Sequence, residues 1–179
     1  ESDYGPLLEY YRSTPARVVK LNANVGYKAL WQIPFFKEIE RGYYVYTDSD
    51  LIPGPSCPKD VVFHLYQVLH KSPVEKCGPA LKIDDLPNHY EHKQAVLEVE
   101  ERYWKKNVAE QVYDAPVDTT FALYKPFAAG NAEEASAYRV AGDLTFIHQP
   151  WYENSSNLDE ETRYYKEHVS SSSYWYSKK

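Results

Sequence analysis

The order of apolar runs in this chain predicts an α/β fold, with helices flanking a mixed, mainly parallel sheet. Three observations carry that expectation. An aromatic, β-branched run at 43–47 leads straight into Asp48-Ser49-Asp50. Val61, Leu65, Val68 and Leu69 then keep one apolar stripe at helical spacing. Further apolar runs at 76–83, 115–124 and 140–148 are separated by helical or polar stretches, as crossover connections between parallel strands require. A length of 179 residues suits one domain with a buried core, and no solenoid-type repeat is present.

Taken in order, Leu7, Leu8 and Tyr11 share a short helical face, and the β-branched stretch 17–21 after Pro15 reads as a strand. A loop with Asn22, Asn24 and Gly26 leads into a helical segment at 27–31, which Pro34 interrupts. After the strand at 43–47, Pro53, Gly54 and Pro55 force a loop, and Ser56 with Pro58 in the first turn opens the helix that carries the apolar stripe. A strand lies within 76–83. A long helix is expected at 90–104, where Val96, Val99 and Tyr103 share a face. Strands at 115–124 and 140–148 enclose a polar insertion at 128–137, leaving room for an antiparallel element late in the chain. Asn157 is expected to cap a last helix with Asp159, Glu160 and Glu161 in its first turn and Lys166 and His168 near its end. Residues 170–179 form a tail that frays or folds over the site.

Composition removes several function classes. The 20 basic and 26 acidic residues give a formal charge of −6, which disfavours a nucleic-acid scaffold and leaves no polybasic patch for anionic lipid. No run approaches the roughly 18 apolar residues of a membrane span. Cys57 and Cys77 are too few for a disulfide framework or a zinc knuckle, so a reducing compartment, the cytoplasm, is expected, although the two could pair. Met is absent even at position 1, so the residues are not expected to begin at a natural start, and they could be part of a larger multidomain polypeptide. The 18 Tyr and 4 Trp suit stacking on sugars or bases, yet packing accounts for most such side chains.

Asp48 and Asp50 carry the most chemistry. At the point where a strand leaves an open sheet, two carboxylates one residue apart stand at the mouth of the ligand crevice. Hard oxygen donors there suit Mg2+ or Mn2+, which keep a few protein carboxylates and take further ligands from substrate phosphates. A solvated turn of the same composition is the competing explanation.

Tyr44-Val45-Tyr46-Thr47-Asp48-Ser49-Asp50-Leu51-Ile52-Pro53, with Asn24 and Gly26 upstream and Ala115-Pro116-Val117-Asp118-Thr119-Thr120-Phe121 downstream, resembles the GT-A fold glycosyltransferases. The sub-family most similar to it occurs in bacteria and in large DNA viruses, chlorella-virus glycosyltransferase domains among them. Lys82-Ile83-Asp84-Asp85-Leu86-Pro87, His89-Tyr90 and His148-Gln149-Pro150-Trp151-Tyr152 extend the likeness over most of the chain. The resemblance implies a Rossmann-like sheet, a nucleotide-binding part at 1–56 and an acceptor and catalytic part at 57–169. Residues 1–4 look like the segment just after the second strand, so the first strand of such a domain is expected to lie outside these residues.

What the resemblance implies chemically is a hexose moved from a UDP-sugar, of the UDP-glucose type, to a glycan or glycoprotein hydroxyl in glycan biosynthesis, in the host cytoplasm if the chain is viral. Asp50 is the first choice as ligand of a manganese or magnesium ion, with Asp48 beside it and His148 as a further ligand. A histidine satisfied at the sheet edge explains His148 equally well. Asn24, Gly26 and Lys28 fall on the nucleotide side, where Asn24 and Gly26 also suit a plain turn. Lys28, Arg139 or Arg163 could add positive charge at the diphosphate, although solvated salt bridges explain such long side chains. With inversion, one carboxylate must take the acceptor's proton, and Asp118 leads for that role, with Asp85 and its neighbour Asp84 competing. Asp85 can equally cap the turn at Leu86-Pro87-Asn88. His89, Tyr90, Trp151 and Tyr152 are candidates for an acceptor platform, or for packing under the last helix. Two rival readings stand beside this one: a phosphohydrolase of the haloacid dehalogenase type, and a non-catalytic glycan-binding domain.

Overall fold

The computed structural model describes residues 3–23, 25–128 and 135–168. Its architecture is mixed α/β. Helices α1 (Gly5–Ser13), α2 (Ala29–Gln32) and α3 (Phe36–Ile39) precede strands β1 (Tyr44–Tyr46) and β2 (Leu51–Pro53). Helix α4 (Val61–His70), strand β3 (Lys76–Pro79) and helix α5 (Lys93–Glu100) follow, then β4 (Asn107–Ala109), β5 (Val112–Asp114), β6 (Ala122–Tyr124), β7 (Ala137–Val140), β8 (Phe146–His148) and α6 (Glu160–His168). Six strands form one sheet in the order β1-β6-β3-β7-β5-β4, and β2 with β8 forms a separate two-stranded ribbon.

The sheet corrects the expectation of mainly parallel pairing. Only β3 and β7 pair parallel; β1–β6, β3–β6, β5–β7 and β4–β5 are all antiparallel. Since β1 and β3 both run against β6, they point the same way as each other and as β7. The helix between β1 and β3 does join strands of like direction, but β6 inserts between them. All three residues of β6 are buried, and a strand covered on both faces reads as a continuous apolar run in either direction.

Alternation sorts the sheet residues onto two faces. Cys77, Leu123, Val140 and Val112 pack with Leu65 and Leu69 of α4 and with Leu144. The other face carries Tyr44, Ala122, Tyr124 and Ala137, covered by Phe36 and flanked by Leu30, Trp31 and Ile39 of α2 and α3. Tyr44 and Tyr124, directly opposite in register, stack with centroids 4.8 Å apart. A third cluster of Leu81, Leu86, Tyr90, Val96, Phe146 and Trp151 lies beneath the ribbon.

Several local expectations change. Residues 17–21 form no strand: 17–20 are exposed and have no strand partner, and β-branched residues favour strands only against a pairing surface. The stripe helix begins at Val61 rather than near Ser56, and the expected 90–104 helix is α5 followed by a 3-10 turn, Glu101–Trp104. Only Ala122–Tyr124 of 115–124 is strand, because Pro116 has no N–H to donate and the Asp118 carboxylate takes the Thr120 N–H. Gly142, at φ 65°, breaks 140–148 into the end of β7 and the whole of β8, which belong to different sheets. Asp159, not Asn157, caps α6, its Oδ1 accepting the Thr162 N–H at 2.7 Å. The β4–β5 hairpin has no counterpart in the sequence reading. The tail at 170–179 and the centre of the polar insertion lie outside the described residues. Cys57 and Cys77 are unbridged. Among the described residues, no helix is long and apolar enough to cross a membrane.

Candidate functional site

The end of β1 and the start of β6 meet at one edge of the sheet because the two strands run oppositely. Past the Tyr46–Ala122 pair, the ladder continues through one further bond, from the Asp48 N–H to the Thr119 carbonyl at 3.0 Å. That bond sets the two side chains face to face. The Thr119 hydroxyl donates to Asp48 Oδ2 at 2.7 Å, linking residues 71 positions apart. Asp118, next to Thr119, is exposed, and its Oδ1 accepts the Thr120 N–H at 2.9 Å. This bond fixes the side chain and leaves the second carboxylate oxygen for another partner.

The ribbon supplies Asp50 and His148. Leu51 and His148 are register partners, and the Gln149 N–H donates to the Asp50 carbonyl at 2.9 Å. His148 Nε2 then lies 3.5 Å from Asp50 Oδ2. The other halves of both side chains, Asp50 Oδ1 and His148 Nδ1, are buried without a hydrogen-bond partner. Gly54 keeps the ribbon tight: a Cβ there would meet the Thr145 carbonyl oxygen at 2.5 Å.

Charge sets the chemistry of this cluster. Burial pushes the Asp48 carboxyl up to about 7, the negative charges of Asp50 and Asp118 add to the rise, and the Thr119 hydrogen bond opposes it. Burial also holds His148 below the usual imidazole range, against the pull of Asp50 and Asp118. Three carboxyl groups and an imidazole from three chain segments therefore act on one another. Among the described residues, no Lys or Arg forms an ion pair with any of them.

Crowded carboxylates and orphaned lone pairs are what a hard cation relieves. Among the described residues, no group of three or more His, Cys, Asp or Glu side chains, the set of Asp48, Asp50 and His148 included, is arranged so that it could hold a metal ion. A cation held by one or two of these carboxylates would need further ligands from bound phosphate oxygens or water, as Mg2+ sites commonly use.

The remaining candidates fall in several places. Gly26, at φ 64°, opens the 3-10 turn Gly26–Lys28, and Tyr46 donates its hydroxyl to the Tyr27 carbonyl at 2.6 Å, so this turn is anchored two residues before Asp48. The Lys28 ammonium stands 5.3 Å from the Tyr27 ring centroid. A cleft of about 730 Å³ adjoins this turn, with Tyr10, Tyr11, Arg17, Lys20 and Gly26 in its wall and no carboxylate side chain. Asn24 lies outside the described residues. Asp85 binds Lys82 at 2.7 Å and accepts the Tyr152 hydroxyl at 2.5 Å, and these bonds, Lys82 foremost, hold its carboxyl below the usual range. Asp84 shares the same Lys82 at 2.6 Å. His89 is exposed and Tyr152 half-buried, while Tyr90 and Trp151 are 3% and 4% exposed and offer little ring surface to a ligand. Arg163 is exposed and donates to the Leu158 carbonyl at 3.0 Å. Arg139 is buried against Glu100, which accounts for its charge inside the fold.

Thr119 is the side chain at the candidate site that sequence reasoning missed; its place next to Asp118 was the available signal. No protein-family profile, curated protein or solved structure matches the chain.

Proposed function

We propose that the chain is a metal-dependent glycosyltransferase that moves a hexose from a UDP-sugar to a glycan or glycoprotein hydroxyl, with inversion. The observation that carries this reading is the convergence of Asp48, Asp50, Asp118 and His148 with no Lys or Arg ion-pair partner among the described residues. Asp50 and Asp48 would hold a manganese or magnesium ion, with His148 beside Asp50 as the third candidate. When bound, such an ion supplies positive charge to a departing diphosphate.

The chain's own residues divide the remaining work. Thr119 holds Asp48 in place and favours its ionised form. The cleft that adjoins the turn Gly26–Lys28 offers aromatic and basic surface suited to a nucleotide, and the Tyr46 hydroxyl ties that turn to the strand leading to Asp48. Asp118 accepts the acceptor's proton through the oxygen that Thr120 leaves free. Asp85, held low by Lys82 and Tyr152, is the weaker base and would serve acceptor contacts with Tyr152 and His89. Two unbridged cysteines suit a reducing compartment, which we read as the cytoplasm.

Titration calorimetry with UDP and UDP-sugars, with and without manganese, tests this reading together with turnover on a glycan acceptor. Manganese-dependent UDP binding is expected, and Asp50→Ala should abolish it. Asp118→Asn should leave donor binding nearly intact and lower turnover about 10²–10⁴-fold. Full manganese-dependent activity in Asp50→Ala would remove the basis of the proposal. Phosphate release from simple phosphomonoesters would instead support a hydrolase, and sugar binding without transfer a glycan-binding domain.

A further inference from the structure

Arg139 lies on β7, away from the carboxylates in sequence, yet it is tied to the segment that carries Asp118. Its side chain is 4% exposed and divides its hydrogen bonds between two partners. Nη1 pairs with Glu100 Oε2 at 2.5 Å, and Nε donates to the Pro116 carbonyl at 2.7 Å. The guanidinium carbon also stands 4.3 Å from the Tyr103 ring centroid. Three elements are thereby pinned at one point: α5 through Glu100, the following turn through Tyr103, and the strap at 115–118 through Pro116.

Past Asp118 the segment is held by Asp48, through the Asp48 N–H to the Thr119 carbonyl and the Thr119 hydroxyl to Asp48 Oδ2, but before Asp118 the Arg139 bond is the side-chain hydrogen bond that reaches it among the described residues. Pro116 cannot donate to a ladder, and 115–119 belong to no strand. Val117 is buried, whereas Asp118 turns outward. The Arg139 bond to Pro116 therefore fixes the chain two residues before the exposed carboxylate, and the Thr120 N–H fixes it two residues after. Glu100 lies close enough to Asp118 for the two charges to act on each other. A buried ion pair is weak evidence for stability, because an apolar pair of similar volume often packs as well. Retaining one beneath an active-site strap calls for a different explanation.

We propose that Arg139, backed by Glu100, is a positioning residue that aims Asp118 at the acceptor hydroxyl. The planar fork suits this task, since one guanidinium can hold a carboxylate and a carbonyl in fixed relative orientation. A lysine ammonium in its place is a point charge on a flexible stem. The catalytic half of this inference rests on the transferase reading above; the structural half does not.

Two variants and two readouts separate these parts. Arg139→Lys keeps the charge and loses the fork. The double variant Arg139→Met with Glu100→Gln removes both charges at similar volume, so that no buried charge is left unpaired if the lysine variant folds poorly. In either variant, amide hydrogen exchange at 117–120 should rise at least tenfold while exchange in β3 and β6 is unchanged. Turnover should fall about 10–100-fold with the donor KM held, the order expected when a reacting group is misplaced. Unchanged exchange at 117–120 overturns the inference whether or not the protein is a transferase. Exchange that rises with turnover unaffected also overturns it, because Asp118 would then need no such support. A wild-type protein that transfers no sugar overturns the transferase reading and the aiming role with it.

Discussion

Asp48 is a half-buried carboxyl whose ionisation its surroundings oppose. It follows an aromatic strand and keeps one strong hydrogen bond, from Thr119, while two neighbouring carboxylates oppose its charge. Its carboxyl is raised to about 7 from an ordinary value near 3.8, so between those pH values the native state holds a proton that the unfolded chain has lost. By linkage, its contribution to stability falls as pH rises through that window. Asp48→Asn keeps an acceptor for Thr119 and abolishes the titration. In EDTA, we expect this variant to match the native protein near pH 4 and to exceed it at pH 8 by about 1–2 kcal/mol, a discounted figure for a half-buried group. Urea denaturation at the two pH values measures the difference, and a gap of equal size at both would show that Asp48 is not the group responsible. The sequence placed both carboxylates beside a strand end, but Thr119 was invisible to it, because a contact across 71 residues leaves no local trace.

Among the elements, the strap at 115–121 decides where the candidate base stands. Its course depends on Gly78 in the middle of β3, where an added Cβ would lie 2.2 Å from the Phe121 carbonyl oxygen and 3.0 Å from Val117. Backbone contact that close admits no side chain. Gly78→Ala should therefore push the strap off the sheet and cost about 1–3 kcal/mol, as overpacking does. Thermal unfolding measures that loss. Two-dimensional spectra should show the largest shifts at Val117 and Phe121, and shifts confined to α4 would contradict this assignment. The continuous apolar character of 115–124 suggested a long strand. Pro116 and the carboxylate of Asp118 override it, since one withholds a ladder donor and the other captures one.

Of the 26 acidic residues in the whole molecule, three act on one another at a single place. Net charge of −6 on 179 residues is modest, yet Asp48, Asp50 and Asp118 share a single site and have no cationic ion-pair partner among the described residues. Binding of a cation to the native state alone should stabilise it by about 2.7 kcal/mol at a hundredfold excess over Kd. The melting temperature should rise with manganese and UDP together, return to its starting value with EDTA, and stay flat in Asp50→Ala. A rise that survives in that variant would place the ion elsewhere. The succession of β1, α4 and β3 was legible in the sequence, since apolar periodicity and turn residues are local properties, but strand β2 between β1 and α4 was not, because its pairing with β8 is a contact across nearly a hundred residues. The Asp-x-Asp motif at a strand end was legible too. The direction of β6 was not legible, because a strand buried on both faces has the same pattern either way. The sequence by itself determined which residues are apolar, where the chain must turn, and which side chains can carry charge to a crevice. Tertiary structure alone decided that β6 runs against β1. That choice brings Thr119 and Asp118 to Asp48, because only antiparallel neighbours bring the end of one strand to the beginning of the other.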